Sequence, residues 1–343
     1  MDGETPDRDE QRAVGLESAS RDETDFRQTV VGRRQRWFGF KKPLKRFLSL
    51  RGPHWLLRQV VRLVPGLRRS GRLPAPASVK EVEGTVQGKR FVMLRPDRCV
   101  VAKELYWGRG RRPRREDDFA IELFASMARR SDVVLDIGAY TGIFTLVAAA
   151  VNPEVESHAF EIVPDVYRAL FDNCVRNGVL HRVTLHHVGV GDPVTQLLVP
   201  AESHGSALPD FYSSRLHFDR GIPVRVVSLD SLLGVVPAGA RVLMKVDVEG
   251  TENEILANGK EFLDSFAPDI LCEVLAGVAE TRRLEGLLTP HGYGFHLVRE
   301  TDLFPASRIQ PHARFRDWFF TRRTREELEA MGIPTATRVA RSP

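Results

Sequence analysis

The chain has 343 residues, 42% hydrophobic and 28% charged, the balance of an ordinary globular protein long enough for one large domain with extensions. Its net charge is +5, yet fifteen Lys or Arg and no Asp or Glu lie between Arg27 and Lys80, so the basicity belongs to one segment and the remainder is net acidic. Cys99, Cys174 and Cys272 are odd in number, far apart and without CxxC spacing, which argues against a disulfide framework or a zinc site and fits a reducing compartment. No apolar run approaches the roughly 20 residues of a membrane span.

Residues 1–32 are polar, charged and poor in aromatics, the composition of a disordered tail, and hold no signal-peptide core; a cytoplasmic location is the expectation. Residues 33–76 form a basic extension. Trp37, Phe38, Phe40 and Phe47 lie among its cations, and Trp55 to Leu67 repeats apolar residues at near-helical spacing between arginines. Pro65 should end that helix, and Gly66, Gly71, Pro74 and Pro76 read as a linker. Residues 77–115 are read as a lead-in with a β-hairpin over Val82–Leu94, turning at Gly84 and Gly88.

From residue 116 to 323 a regular alternation is expected. A helix over Asp117–Arg129 precedes a strand over Asp132–Ile137 and a helix over Ile143–Ala150. Val155–Phe160 reads as a strand, Asp165–Asn177 as a helix closed by Gly178, and Val183–Val188 as a strand. A hairpin pairs Gln196–Val199 with Val224–Val227, and a strand follows over Val242–Val246. Then come a helix over Glu252–Asn258, a strand over Ile270–Val274, a helix over Val278–Leu288, and strands over Tyr293–Val298 and Phe315–Thr321. Residues 324–343 are read as a tail. Strands alternating with helices predict an α/β, Rossmann-like domain with a doubly wound, mostly parallel sheet and a late antiparallel strand. Ligands of such domains bind where the strands end, at the carboxyl edge.

The segment Val133-Val-Leu-Asp-Ile-Gly-Ala-Tyr-Thr-Gly142 is a strand followed by a glycine turn that opens a helix. Gly138 permits the turn and a close approach, Gly142 lets the helix start pack near the strand, and the helix N-terminus offers backbone N–H groups. The pattern is D-x-G-x-x-x-G rather than the G-x-G-x-x-G of a dinucleotide site. Asp136 at its head repels a pyrophosphate and suits an ammonium group, so the turn from Asp136 through Gly138, Ala139 and Tyr140 to Gly142 reads as a site for S-adenosylmethionine (SAM). Glu161 ends the next strand, nineteen residues after Gly142, where a carboxylate accepts hydrogen bonds from ribose hydroxyls. Asp192, in a Gly-Asp-Pro turn after the third strand, is a candidate for the adenine amino group.

Here the residues resemble the FkbM family of SAM-dependent methyltransferases. The resemblance runs from about Glu104 to Arg323 and rests on Asp136-Ile-Gly-Ala-Tyr-Thr-Gly142, Phe160-Glu-Ile-Val-Pro164 and Val227-Ser-Leu-Asp-Ser-Leu232. Its most specific part is Lys245-Val-Asp-Val-Glu-Gly-Thr-Glu252, followed by Glu273-Val274. The resemblance implies cofactor contacts at Asp136, Gly138, Gly142 and Glu161, and an active site at Asp247 and Glu249. Tyr140 departs from it, since the family often carries Asn there, and Tyr tolerates positive φ poorly.

Asp247 and Glu249 leave the end of the Val242–Val246 strand two residues apart, a spacing that points both the same way. Either carboxylate is a candidate to take the proton of a hydroxyl acceptor, with His204 as a further base candidate. Glu252 and Glu254 read as first-turn helix acids complementing the helix dipole rather than as metal ligands, and no metal is expected. The implied reaction is O-methylation of a sugar, a glycan or a secondary metabolite. The alternatives are a nicotinamide-dependent oxidoreductase on the same fold and a non-catalytic methyltransferase-like binding module. For the basic extension, peripheral contact of residues 33–70 with an anionic membrane, and hence a lipid-linked acceptor, stands beside simple packing on the catalytic domain; nucleic acid is disfavoured.

Overall fold

The structure is a computed structural model that describes residues 47, 51–63, 73–195, 197–199, 221–248, 250–275, 278–312 and 314–337. The chain divides into two compact units, residues 1–62 and 63–343. Helix α1 (Arg51–Leu63), which lies in the first but for its last residue, is strongly amphipathic, and Trp55, Leu56 and Val60 are exposed along it. No helix among the described residues is long and apolar enough to cross a membrane.

The second unit opens with an antiparallel hairpin, β1 (Glu81–Val86) and β2 (Lys89–Leu94). Its turn lies at Gln87 and Gly88, both at positive φ, 47° and 74°, the arrangement that matches strand twist in a two-residue hairpin. Gly84, expected as a turn residue, instead sits within β1 opposite Phe91, where a Cβ would meet the ring at 2.3 Å. Helix α2 (Val100–Gly108) follows, capped by the Cys99 thiol, which accepts the Ala102 N–H at 3.4 Å. Helix α3 (Arg115–Ala128) carries three acids in its first turn, favourable to its dipole.

The alternation then begins with β3 (Val133–Ile137), α4 (Ile143–Val151), β4 (Glu156–Phe160), α5 (Pro164–Arg176) and β5 (Val183–His186). Short strands β6 (Gly189–Val190), β7 (Leu197–Val199), β8 (Ile222–Val224) and β9 (Val226–Val227) come next. β7 pairs antiparallel with β8, an expected hairpin whose second strand is shifted to Ile222–Val224, while Val226–Val227, expected in it, form β9 and pair parallel with β6. The rest comprises β10 (Val242–Val246), α6 (Glu252–Ala257), α7 (Lys260–Phe266), β11 (Asp269–Glu273), α8 (Val278–Leu288), β12 (Gly294–Val298), β13 (Leu303–Ala306), β14 (Asp317–Thr321) and α9 (Arg325–Ala330).

Eight strands form one sheet in the order β13-β12-β14-β11-β10-β3-β4-β5. Strands β5, β4, β3, β10 and β11 run parallel, and β14 enters antiparallel between β11 and β12. This is the expected α/β, Rossmann-like, doubly wound architecture. Alternate residues of the central strands feed two cores. Val134, Leu243, Leu271 and Phe319 join the side covered by α3, α4 and α5. Leu135, Met244, Ile270 and Phe320 join the side that holds α6, α7 and α8. Every residue of β3 and β10 is buried, so both read as apolar runs, broken only by Asp136 and Lys245.

The expected tail over 324–343 is corrected as far as residue 337. Helix α9 is closed by a capping box in which Thr324 and Glu327 bond each other's backbone. Leu328 and Ile333 are buried in the core, and the Ala336 N–H donates to the Leu303 carbonyl at 2.8 Å. Burial of two apolar side chains fixes this segment to the domain. Helices α2 and α7 and the edge strand β13 are likewise absent from the sequence reading.

Candidate active site

The glycine turn is fixed from three sides. The N–H groups of Gly138 and Ala139 both donate to the Phe160 carbonyl, at 3.1 and 2.9 Å, tying the turn to β4. A Cβ at Gly138 would lie 2.0 Å from the Asp247 carbonyl oxygen, and one at Gly142 2.5 Å from Leu170 Cδ1. Gly138 thus gives close approach to the chain leaving β10, and Gly142 lets α4 start against α5. Gly138, Tyr140 and Gly142 have φ of 80°, 51° and 88°. Tyr140 therefore adopts the left-handed conformation despite its Cβ, at a cost of about 1 kcal/mol.

Asp136, in β3, does not line the cleft. Its Oδ2 accepts the backbone N–H of Thr145 at 3.0 Å and the Thr145 hydroxyl at 2.6 Å. Its Oδ1 is buried with no hydrogen-bond partner among the described residues. Burial raises its pKa to about 6, against the lowering pull of the Thr145 bonds and of Lys245. Glu161, just past β4, does line the cleft and is 7% exposed. Burial pushes its pKa up to about 7, although the backbone N–H groups of Val163, Ile162 and Tyr140 draw it down. Two buried acids thus precede and follow the turn in the chain, each with its charged form disfavoured by lack of solvent.

The cleft, of about 310 Å³, opens at the carboxyl ends of β3, β4 and β10. That is the switch point of the sheet, where the chain order reverses between β3 and β10, and where open α/β sheets bind ligands. One flank is apolar, built by Phe160, Ile162, Val163, Val166, Val188 and Val190. The other carries Arg112, Phe144, Asp247 and Glu273.

Behind that second flank lies Lys245, 1% exposed. Its Nζ is 3.3 Å from Asp247 Oδ2 and 3.3 Å from Asp317 Oδ1, and 5.2 Å above the centre of the Phe144 ring. Burial lowers the Lys245 pKa, but Asp247, Asp317 and Glu273 more than reverse this, so the ammonium stays charged. The family-like signature therefore places its lysine beneath its aspartate as a fixed cation.

The structure brings Gly138, Ala139, Tyr140, Glu161, Asp247 and Glu273 together on the cleft wall. Gly142 shapes the turn from behind, and Asp136 lies inside the sheet. Asp192 does not reach the cleft wall; its carboxylate accepts the Val194 N–H at 3.0 Å within its own turn. His204 and Glu249 lie outside the described residues. Glu252 and Glu254 occupy the first turn of α6, where the Glu252 carboxylate accepts the Gly250 N–H at 2.9 Å. Sequence reasoning missed Arg112 and Asp317, which reach the site from outside any motif, and no local signal marks either.

Comparison with known proteins bears on this geometry. Residues 136–297 match the family model described as Methyltransferase FkbM domain. The chain is 30% identical over 214 residues to 31-O-demethyl-FK506 methyltransferase FkbM of Streptomyces tacrolimicus, covering 53% of this chain and 79% of that one. It is also similar to the crystal structure of methyltransferase FkbM from Methylobacillus flagellatus KT, at 17% identity and TM-score 0.39, over 56% of this chain and 43% of that one. A SAM-dependent methyltransferase of Agrobacterium tumefaciens is similar at 12% identity and TM-score 0.40, over 71% of each chain. With the signature from Lys245 to Glu252 in place, and with a relative spanned over most of its length, the chain belongs to the FkbM methyltransferase family, which sets aside the oxidoreductase reading.

Proposed function

We propose that this methyltransferase takes its methyl group from SAM and delivers it to a hydroxyl oxygen of a sugar, a glycan or a secondary metabolite. The observation that carries the reading is Glu161, a buried carboxyl on the cleft wall with its pKa pushed up to about 7. A ligand that brings hydroxyl donors, as a ribose does, stabilises the charged form that burial opposes. The apolar flank of Phe160, Ile162, Val188 and Val190 suits a purine ring. The turn at Gly138 to Tyr140 suits the amino-acid end of the cofactor. Asp136 acts on that cation from behind the turn, through its field.

SAM, when bound, supplies a methyl group made electrophilic by a sulfonium. The residues of this chain align the acceptor and hold its proton. Asp247 lines the cleft just past β10 and is the carboxylate set to receive that proton, its orientation fixed by Lys245. Glu249 and His204 remain candidates on the sequence pattern alone. The Streptomyces tacrolimicus relative, 31-O-demethyl-FK506 methyltransferase, is named for methylation at oxygen, which favours an oxygen acceptor here.

Titration calorimetry with S-adenosylhomocysteine (SAH) and with NAD tests the cofactor. Micromolar SAH binding without NAD binding is the expected result, and silence with SAH overturns the reading. Binding without any transfer of radiolabelled methyl to fractionated cell extract would favour the non-catalytic module instead.

A second reading concerns place. Exposed Trp55, Leu56 and Val60 on α1, within a segment of fifteen cations and no acids, favour peripheral contact with an anionic membrane on the cytoplasmic side. The acceptor would then be lipid-linked. Sedimentation with anionic vesicles that Trp55→Glu and Leu56→Glu abolish is expected; equal sedimentation with neutral vesicles counts against it.

A further inference from the structure

The charged flank of the cleft is built partly by residues outside the 136–297 family match. Arg112 enters from the connection between α2 and α3 and lines the cleft beside Val100 and Val101. Its guanidinium is already engaged. Nε forms an ion pair with Glu104 Oε2 at 2.6 Å that is not aligned as a hydrogen bond, and Nη2 donates to Asp117 Oδ2 at 3.1 Å. Lys245 is held in the same manner between Asp247 and Asp317, and Arg316 stands 3.9 Å from Glu273. Each cation has one or two carboxylates, and the five acids outnumber the three bases. Burial raises the pKa of Asp117 and of Asp317, the latter with Asp247 adding to the rise. Further negative charge in this region is therefore unfavourable.

We propose that this flank is the acceptor subsite, completed by Arg112, and that it selects an uncharged hydroxyl-bearing acceptor over a phosphorylated or carboxylated one. The proposal rests on the reading of methyl transfer within this cleft. An acidic acceptor adds a further anion beside Glu104 and Asp117, which already neutralise Arg112, or else lies against Asp247 and Glu273 without a free cation. A pair of hydroxyls meets neither obstacle. Each hydroxyl donates to a carboxylate such as Asp247 or Glu273 and accepts from a guanidinium edge. Arg112 thus acts as a specificity-determining residue, and Glu104 and Asp117 set its preference by occupying it.

The test uses the full chain saturated with SAH. Failure of SAH to bind would overturn the cofactor reading, and is scored separately by calorimetry. With SAH bound, saturation-transfer NMR compares methyl glucoside, glucose 6-phosphate and glucuronate as probes. The neutral glycoside is expected to bind at least about tenfold more tightly than either anion. Arg112→Met should weaken the glycoside at least about fivefold while the SAH affinity stays within about twofold. Asp117→Asn, which frees one side of Arg112, should raise the affinity for glucose 6-phosphate and serves as the second variant should Arg112→Met fail to fold. Tighter or equal binding of the anions, absence of glycoside binding, or no gain of phosphate affinity in Asp117→Asn overturns the proposal.

Discussion

Asp136 and Thr145 are joined twice, the carboxylate Oδ2 accepting both the backbone N–H and the hydroxyl of Thr145. The pair couples the middle strand to the helix that the glycine turn opens. It is also the main compensation for a carboxylate that is 1% exposed. Thr145→Val keeps the side-chain shape and removes the hydroxyl donor. The folded-state pKa of Asp136, about 6, lies above its ordinary value, so its stabilising effect is present in acid and is lost as pH rises through 6. Removing a bond to the charged form raises that pKa further. Thr145→Val should therefore cost about 2 kcal/mol near pH 8 and clearly less near pH 5, read by urea denaturation at both values. An equal cost at the two pH values would show that the hydroxyl does not act on the carboxylate.

Glu161 carries the same sign more strongly. Its pKa of about 7 in the folded chain means that protein without cofactor loses stability as pH rises from about 4 through 7. Near pH 8 the buried charge costs on the order of 3 kcal/mol. Glu161→Gln should accordingly be more stable than wild type near pH 8 and no more stable near pH 5. The same variant should bind SAH at least about tenfold more weakly, because a ribose loses its carboxylate partner. Thermal melts across pH and calorimetry check the two halves separately.

Tyr140 offers a stabilising change. At φ 51° it occupies backbone space that Asn accepts more readily. Tyr140→Asn should gain about 1 kcal/mol and raise the melting temperature by about 2–4 °C. A lower melting temperature would mean that the contacts of the tyrosine ring on the cleft wall outweigh the backbone cost.

Lys245 should be among the least replaceable residues. Lys245→Met leaves the partly exposed Asp247 and Asp317 near one another without their buried cation, a loss of about 1–3 kcal/mol. Pairing it with Asp317→Asn removes one of the stranded charges and should recover part of that loss. A double-mutant cycle by denaturation measures the coupling, and strict additivity would contradict the ion-pair geometry.

What the sequence displayed was whatever a local pattern carries. Strands β3 and β10 are buried along their whole length, so their apolar runs gave boundaries within a residue. The turn from Gly138 to Gly142 was legible because its backbone angles restrict residue type. Gly84 misled, since a glycine that makes room for Phe91 across a strand pair looks in sequence like a glycine that turns. Helix α9 did announce itself, by Thr324 three residues before Glu327, but the short apolar content behind that capping pair hid it. Arg112 and Asp317 carried no signal. Their importance comes from which strands and loops become neighbours, and nothing in their flanking residues encodes that. Asp136 was legible as an acid of the turn, yet its orientation toward Thr145 depends on the start of α4.

The insertion of β14 between β11 and β12 has a consequence for synthesis. Asp317 meets Lys245 across 72 residues of chain, from the last strand of the sheet in chain order. A nascent chain emerging from the ribosome can present the glycine turn and Glu161 long before Asp317 is translated. Until then the Lys245 ammonium lacks one of its two carboxylates, and the place for β14 between its neighbours stands open. A premature product ending before residue 317 lacks that second carboxylate, which ties completion of the charged flank to translation of the final strand.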